Sequence, residues 1–137
     1  MNPRLHRALI SAGHKDALFN PVSYPFVYQG LQFCSQAFPD SDLCAKVICE
    51  GLRLYTFQEF GRLSHHVLTE WGLHSSLDFG KIIFSLIDKK ILDADENDKL
   101  ENFTDIYHFI DTFKLPQTHL NLTIADSKKI DLFPQFP

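Results

Sequence analysis

No apolar run in this chain approaches the roughly 18 residues that a membrane-crossing helix requires, so no membrane association is expected. The opening stretch MNPRLHRALISAGHKDALF has basic residues but no long apolar segment before a small-residue cleavage site, and secretion is not expected either. Cysteine is scarce: Cys34, Cys44 and Cys49 are an odd number without paired metal-ligand spacing. That argues against a disulfide framework and for reduced thiols in the cytoplasm. All three fall in apolar helical patterns and read as buried, inert thiols.

Catalytic signatures are missing as well. There is no G-x-S-x-G, no Gly-rich phosphate loop, and no cysteine in an active-site context. Asp78-Phe79-Gly80 copies the magnesium-binding tripeptide of protein kinases, but the Gly-rich loop, the catalytic loop and the necessary length are absent. The one histidine cluster, His65, His66, Glu70 and His74, lacks the two-histidine i, i+4 spacing of a zinc helix. His65 also points about a quarter-turn from the face shared by His66 and Glu70. Catalysis is therefore not expected, and no metal or cofactor is implied. No arginine follows Arg62, and RNA-binding aromatic signatures are absent.

What the chain has is apolar bulk. It is 137 residues long, 45% apolar and 22% charged, with thirteen phenylalanines, four tyrosines and one tryptophan. That is enough for one domain with a core filled by rings. Pro3 to Ala12 reads as a short helix stopped at Gly13. Tyr24 to Phe38 carries Phe26, Val27, Gly30, Leu31 and Cys34 on helical spacing. Gly30 there would cost about 1 kcal/mol against alanine and marks a possible close helix crossing. After the Phe38-Pro39 break, Asp40 or Ser41 can cap a helix over Asp42 to Phe60.

The most informative stretch is Phe60 to Leu92. Leu63, Val67, Leu68 and Trp71 follow helical spacing, and Gly72 supplies a left-handed stop. Ser75 and Asp78 form a capping-box pattern before the helix Ser76 to Lys90. That helix is apolar around most of its circumference, so it should be covered on two sides, by the core and by something else. Two helices joined by so short a turn make a helix-turn-helix. The charged turn 93–102 between Ile91-Leu92 and Phe103 to Phe109 can then be the β-hairpin of a winged helix, although a helix from Thr104 to Phe113 fits about as well. The expected fold is mainly α (α+β), a helical body with a winged-helix-like second half and a possible small β-hairpin, over residues 1–113.

Residues 114–137 form a C-terminal extension of different character. Leu120, Leu122 and Ile124 alternate with polar residues, and the end IDLFPQFP holds two prolines that bar regular structure. Ile130, Leu132 and Phe133 make it a candidate docking segment. Net charge is −4, and the acidic excess sits in 93–113, where seven acids face Lys99 alone. The helix Ser76 to Lys90 pairs Lys81, Lys89 and Lys90 with Asp78 and Asp88, a poor surface for phosphate neutralisation.

The run Gly51-Leu52-Arg53, Tyr55, Phe60-Gly61, Val67-Leu68, Trp71-Gly72, Asp78-Phe79-Gly80, Ile83-Phe84 and Leu86-Ile87 resembles an uncharacterised family of small bacterial proteins. That family belongs to the planctomycete, verrucomicrobial and chlamydial lineages. The likeness continues through Asp98, Phe103, Tyr107, Phe109 and Phe113 and covers about residues 24–113. It implies a cytoplasmic protein and brings no activity, ligand or catalytic residue. Within this block Arg53 can hold an anionic group or pair with Asp78, or be a solvated helix arginine. Tyr55 and Trp71 are core rings or interaction anchors. The leading expectation is a non-enzymatic cytoplasmic protein-interaction module with an unknown protein partner or a second copy of itself. The alternative is a nucleic-acid-binding winged-helix regulator, which the charges disfavour.

Overall fold

A computed structural model describes residues 1–94 and 98–113. Helix α1 (Pro3–Asp16) starts on Asn2, whose side chain accepts from the Arg4 amide at 2.7 Å, with Pro3 in the first turn. It runs past Gly13 and ends only at Ala17, which takes the left-handed conformation (φ 55°). Gly13 is thus a contact point and not a stop. A Cβ there would sit 2.7 Å from the Pro21 backbone and 2.9 Å from the Tyr24 ring. The extra turn carries Asp16 to Tyr24, Ser85 and Lys89.

Helix α2 (Ser23–Ala37) and helix α3 (Ala45–Phe60) form the most extensive pairing. Their crossing is close because Gly30 leaves room for Leu52, whose Cδ2 would lie 2.4 Å from an added Cβ. The expected side-chain cap at Asp40 or Ser41 is not used. The chain remains extended at Cys44, and α3 begins at Ala45 without a side-chain cap. It ends at Phe60, where the expected helix also ends, with Gly61 at φ 53°.

A 3-10 turn (Gly61–Leu63) leads into the short helix α4 (Ser64–Glu70). Gly72, at φ 87°, reverses the chain into helix α5 (Ser76–Asp88). The Ser75 side chain makes no capping hydrogen bond, and the Asp78 carboxylate reaches back to the amide of His74 at 2.7 Å, one residue beyond the expected target. Phe79, Ile82, Ile83 and Leu86 of α5 are buried, whereas Phe84 and Ile87 are half-buried.

The wing is a correction. Among the described residues there is no strand and no hairpin, so neither the winged-helix-like half nor the α+β reading stands; the fold is mainly helical. The amides of Ile91 and Leu92, which a wing strand would need, both donate to the Leu86 carbonyl to close α5. A 3-10 turn (Leu100–Phe103) follows, then extended chain, then a single helical turn, α6 (Phe109–Thr112). Partners for this stretch come from the α4–α5 turn. Ser75 and His108 form an isolated antiparallel bridge, with Ser76 N–H donating to Tyr107 O (3.0 Å) and Phe109 N–H to His74 O (2.9 Å). The buried Ser76 hydroxyl donates to Phe103 O (2.6 Å) and accepts from Ile106 N (3.1 Å). Phe103, Phe109 and Phe113 then enter the core as rings, Phe109 against Phe79 at 4.9 Å between centroids.

Candidate functional site: an apolar groove with an acidic rim

Since α5 is apolar on nearly all sides, its burial needs two cover layers. Helices α1 and α2 supply the first. The second is incomplete. The 3-10 turn sets Phe103 edge-on against Phe84, with ring centroids 6.2 Å apart, and covers only part of that face. Beside it lies an open groove of about 680 Å³ between α2, the start of α3, α5 and residues 92–94 and 98–103. Leu31, Ile48, Ile83, Phe84, Ile87 and Leu92 give it an apolar floor. Asp42, Asp93 and Asp98 stand around it, with Lys99 as the one lining cation among the described residues. Cys44, which is exposed, lies on its edge.

This places one cysteine differently from expectation. Cys34 and Cys49 are buried, and burial pushes both thiols up to about 12. Cys44, by contrast, precedes α3 in extended chain and faces solvent.

Among the described residues, Arg53, Tyr55, Trp71 and Asp78, singled out from sequence, do not line the groove. Arg53 forms a two-point ion pair with Glu50 on its own helix, Nε to Oε1 at 2.9 Å and Nη2 to Oε2 at 2.6 Å. That hydrogen bonding raises the already high guanidinium pKa. Asp78 is engaged elsewhere, with the His74 amide and with Lys81 at 3.8 Å. Tyr55 packs on Phe26 and Phe33, and burial pushes its phenol up to about 12. Trp71 stands edge-on to Phe26 (5.2 Å) and Phe60 (5.6 Å) and is half-buried. Tyr55 and Trp71 thus meet on Phe26, while Arg53 and Asp78 each take other partners. Ile130, Leu132 and Phe133 lie outside the described residues.

Histidines from separate elements do converge in part. His65, His74 and His108 line a smaller cleft of about 410 Å³ with Phe109 and Asp111. His66 and Glu70 are exposed. Among the described residues no group of three or more histidines, cysteines or acids could hold a metal ion.

One polar constellation was not anticipated. Asp16 Oδ2 accepts from the Tyr24 hydroxyl and the Ser85 hydroxyl, each at 2.5 Å. Lys89 Nζ donates to Asp16 Oδ1 at 2.8 Å and to Ser85 Oγ at 2.9 Å. Burial alone would raise the Asp16 pKa, but the hydrogen bonds from Lys89, Ser85 and Tyr24 prevail and hold it below the ordinary carboxylate value. Burial and the adjacent carboxylate push the Tyr24 phenol well up. The donors and acceptors satisfy one another, so the cluster acts as a clamp joining α1, α2 and α5. The i, i+4 spacing of Ser85 and Lys89 was the only local hint of it.

In comparisons with known proteins, no family model, no curated protein and no solved structure matches this chain. Among the described residues, no helix is long and apolar enough to cross a membrane.

Proposed function

We propose that this chain is a non-enzymatic, cytoplasmic protein-interaction module that takes an apolar polypeptide segment with basic flanks into the groove over α5. The observation that carries the reading is the half-open second face of α5. Phe84 and Ile87 stay partly in contact with water beside an acidic rim, in a groove of about 680 Å³. Burying such side chains under a partner returns roughly 25 cal/mol per Å² of apolar area. An amphipathic segment laid into a groove is a common way to collect that energy. The rim would select for basic over acidic flanks.

The alternative, a nucleic-acid-binding regulator using α5, has less behind it. Six of the thirteen α5 residues are buried, Lys81 lies near Asp78, and Lys89 is held by Asp16. Likeness to the bacterial family discussed above remains part of the proposal and assigns no partner.

The test uses the whole protein with an environment-sensitive dye on Cys44. A synthetic peptide with an apolar Leu/Phe face flanked by lysines should give a saturable blue shift. Ile87→Ser should weaken it, and a peptide with glutamate flanks should bind less well. A dye response that is non-saturable, or indifferent to Ile87→Ser, would remove the groove from consideration.

A further inference from the structure

We infer that residues 114–137 of this same chain occupy the groove in cis, so that a partner must displace them; this rests on the groove reading above. The first argument is where the described body leaves off. Phe113 is 1% exposed and packs on Phe57 and Phe109 at 5.1 and 5.2 Å between centroids. Six residues earlier, the Tyr107 hydroxyl donates to the Cys49 carbonyl at 2.6 Å, next in sequence to Ile48 of the groove floor. Residues 107–113 therefore follow α3, and the chain emerges near the Phe57 end of that helix. From Phe57 back to Ile48 is about 14 Å along the helix axis at 1.5 Å per residue.

The second argument is reach. Residues 114–129 precede Ile130 and can span up to ~50 Å when extended, several times the distance required. The third is chemistry. Lys128 and Lys129 stand directly before Ile130, Leu132 and Phe133, and Phe136 follows; Asp126 and Asp131 flank the lysine pair and interrupt the apolar block, so the match rests on the apolar side chains first and on the lysine pair second. The groove presents the complement, an apolar floor ringed by Asp42, Asp93 and Asp98. The fourth is tethering. Tethering to the same chain gives an effective concentration of about 1 mM, so even a dissociation constant of ~0.1 mM keeps the groove about nine-tenths filled. Intrinsic affinity can be weak, and a better partner can still enter.

Cys44 reports on this directly, because it is the exposed thiol at the groove edge while Cys34 and Cys49 are buried. The experiment compares maleimide reaction rates at Cys44 in the full chain and in a full-length Ile130→Ser, Leu132→Ser, Phe133→Ser variant. Nine-tenths occupancy predicts reaction about tenfold faster in the variant, and adding the synthetic 114–137 peptide should slow it again. A benzophenone on Cys44 should cross-link to residues 114–137 within one chain, with a yield independent of dilution.

Equal rates in the two proteins overturn the inference. If the added 114–137 peptide still protects the variant despite equal rates, the groove reading survives and the cis occupant does not. Cross-links that form between chains and rise with concentration overturn the cis arrangement in favour of a second copy. If neither the 114–137 peptide nor the lysine-flanked peptide protects Cys44, the inference and the groove reading fail together.

Discussion

The Cys34 sulfur lies so close to Gly51 across the α2–α3 crossing that a Cβ added to Gly51 would sit 2.2 Å from it. The Cys34 Cβ would be 3.1 Å away, so rotation of the sulfur alone would not clear the site. Gly51→Ala should therefore destabilise the fold by about 1–3 kcal/mol, the usual cost of overpacking a filled core. Chemical denaturation would measure it. Adding Cys34→Ala should recover part of the loss, so that the two changes are less than additive.

The clamp around Asp16 makes stability depend on pH in a defined direction. Its folded-state pKa lies below the ordinary value of 3.8, so the unfolded chain takes up the proton first as pH falls. The stabilisation is complete above the ordinary value and is lost as pH drops through the folded one. Asp16→Asn should cost about 1.5–3 kcal/mol at neutral pH, the range for a hydrogen bond to a charged group. Its penalty should shrink below pH ~4 as the wild-type carboxylate protonates. Urea midpoints between pH 7 and 2.5 would test this; a constant gap between the two proteins would assign Asp16 no linked proton.

Two neighbouring serines should behave differently. Ser76→Ala leaves the Phe103 carbonyl and the Ile106 amide without their buried partner, at about 1–3 kcal/mol. Hydrogen exchange at Ile106 and Tyr107 should accelerate with it. Ser75→Ala should change stability by less than ~0.5 kcal/mol, because the Ser75 side chain makes no capping bond. A loss near 1 kcal/mol at Ser75 would restore the capping box read from sequence.

The thiols should separate cleanly by rate. In the native protein the first equivalent of a disulfide reagent should react at Cys44, the exposed thiol, at the rate its partial cover by residues 114–137 allows. Cys34 and Cys49 should wait for unfolding, being buried with thiols pushed up to about 12. Mass mapping of the first adduct checks the assignment. Modification of Cys34 or Cys49 ahead of Cys44 would contradict the packing of α2 on α3.

Sequence alone determined the helical body, because helices are written in local periodicity. The apolar spacing in α1 to α5, the break at Phe38-Pro39 and the reversal at Gly72 all depend on neighbours a few residues away. Even the close crossing at Gly30 was visible, although its partner Leu52 was not. Sequence also showed that α5 was too apolar for one cover layer, which was the only advance sign of the groove. Tertiary structure decided the rest, where the competing local options were nearly equal in energy. After Leu92 a strand and a helix suited the residues about equally, and long-range bonds left no strand among the described residues and only one helical turn, Phe109–Thr112, of the expected Thr104 to Phe113 helix. Ser76 holds Phe103 from 27 residues away, and the Leu86 carbonyl takes the amides that a wing would have used. Asp16 and Lys89 meet across 73 residues, a separation no local pattern encodes. The groove floor likewise draws on α2, α3, α5 and Leu92, so it exists only once those pieces are packed.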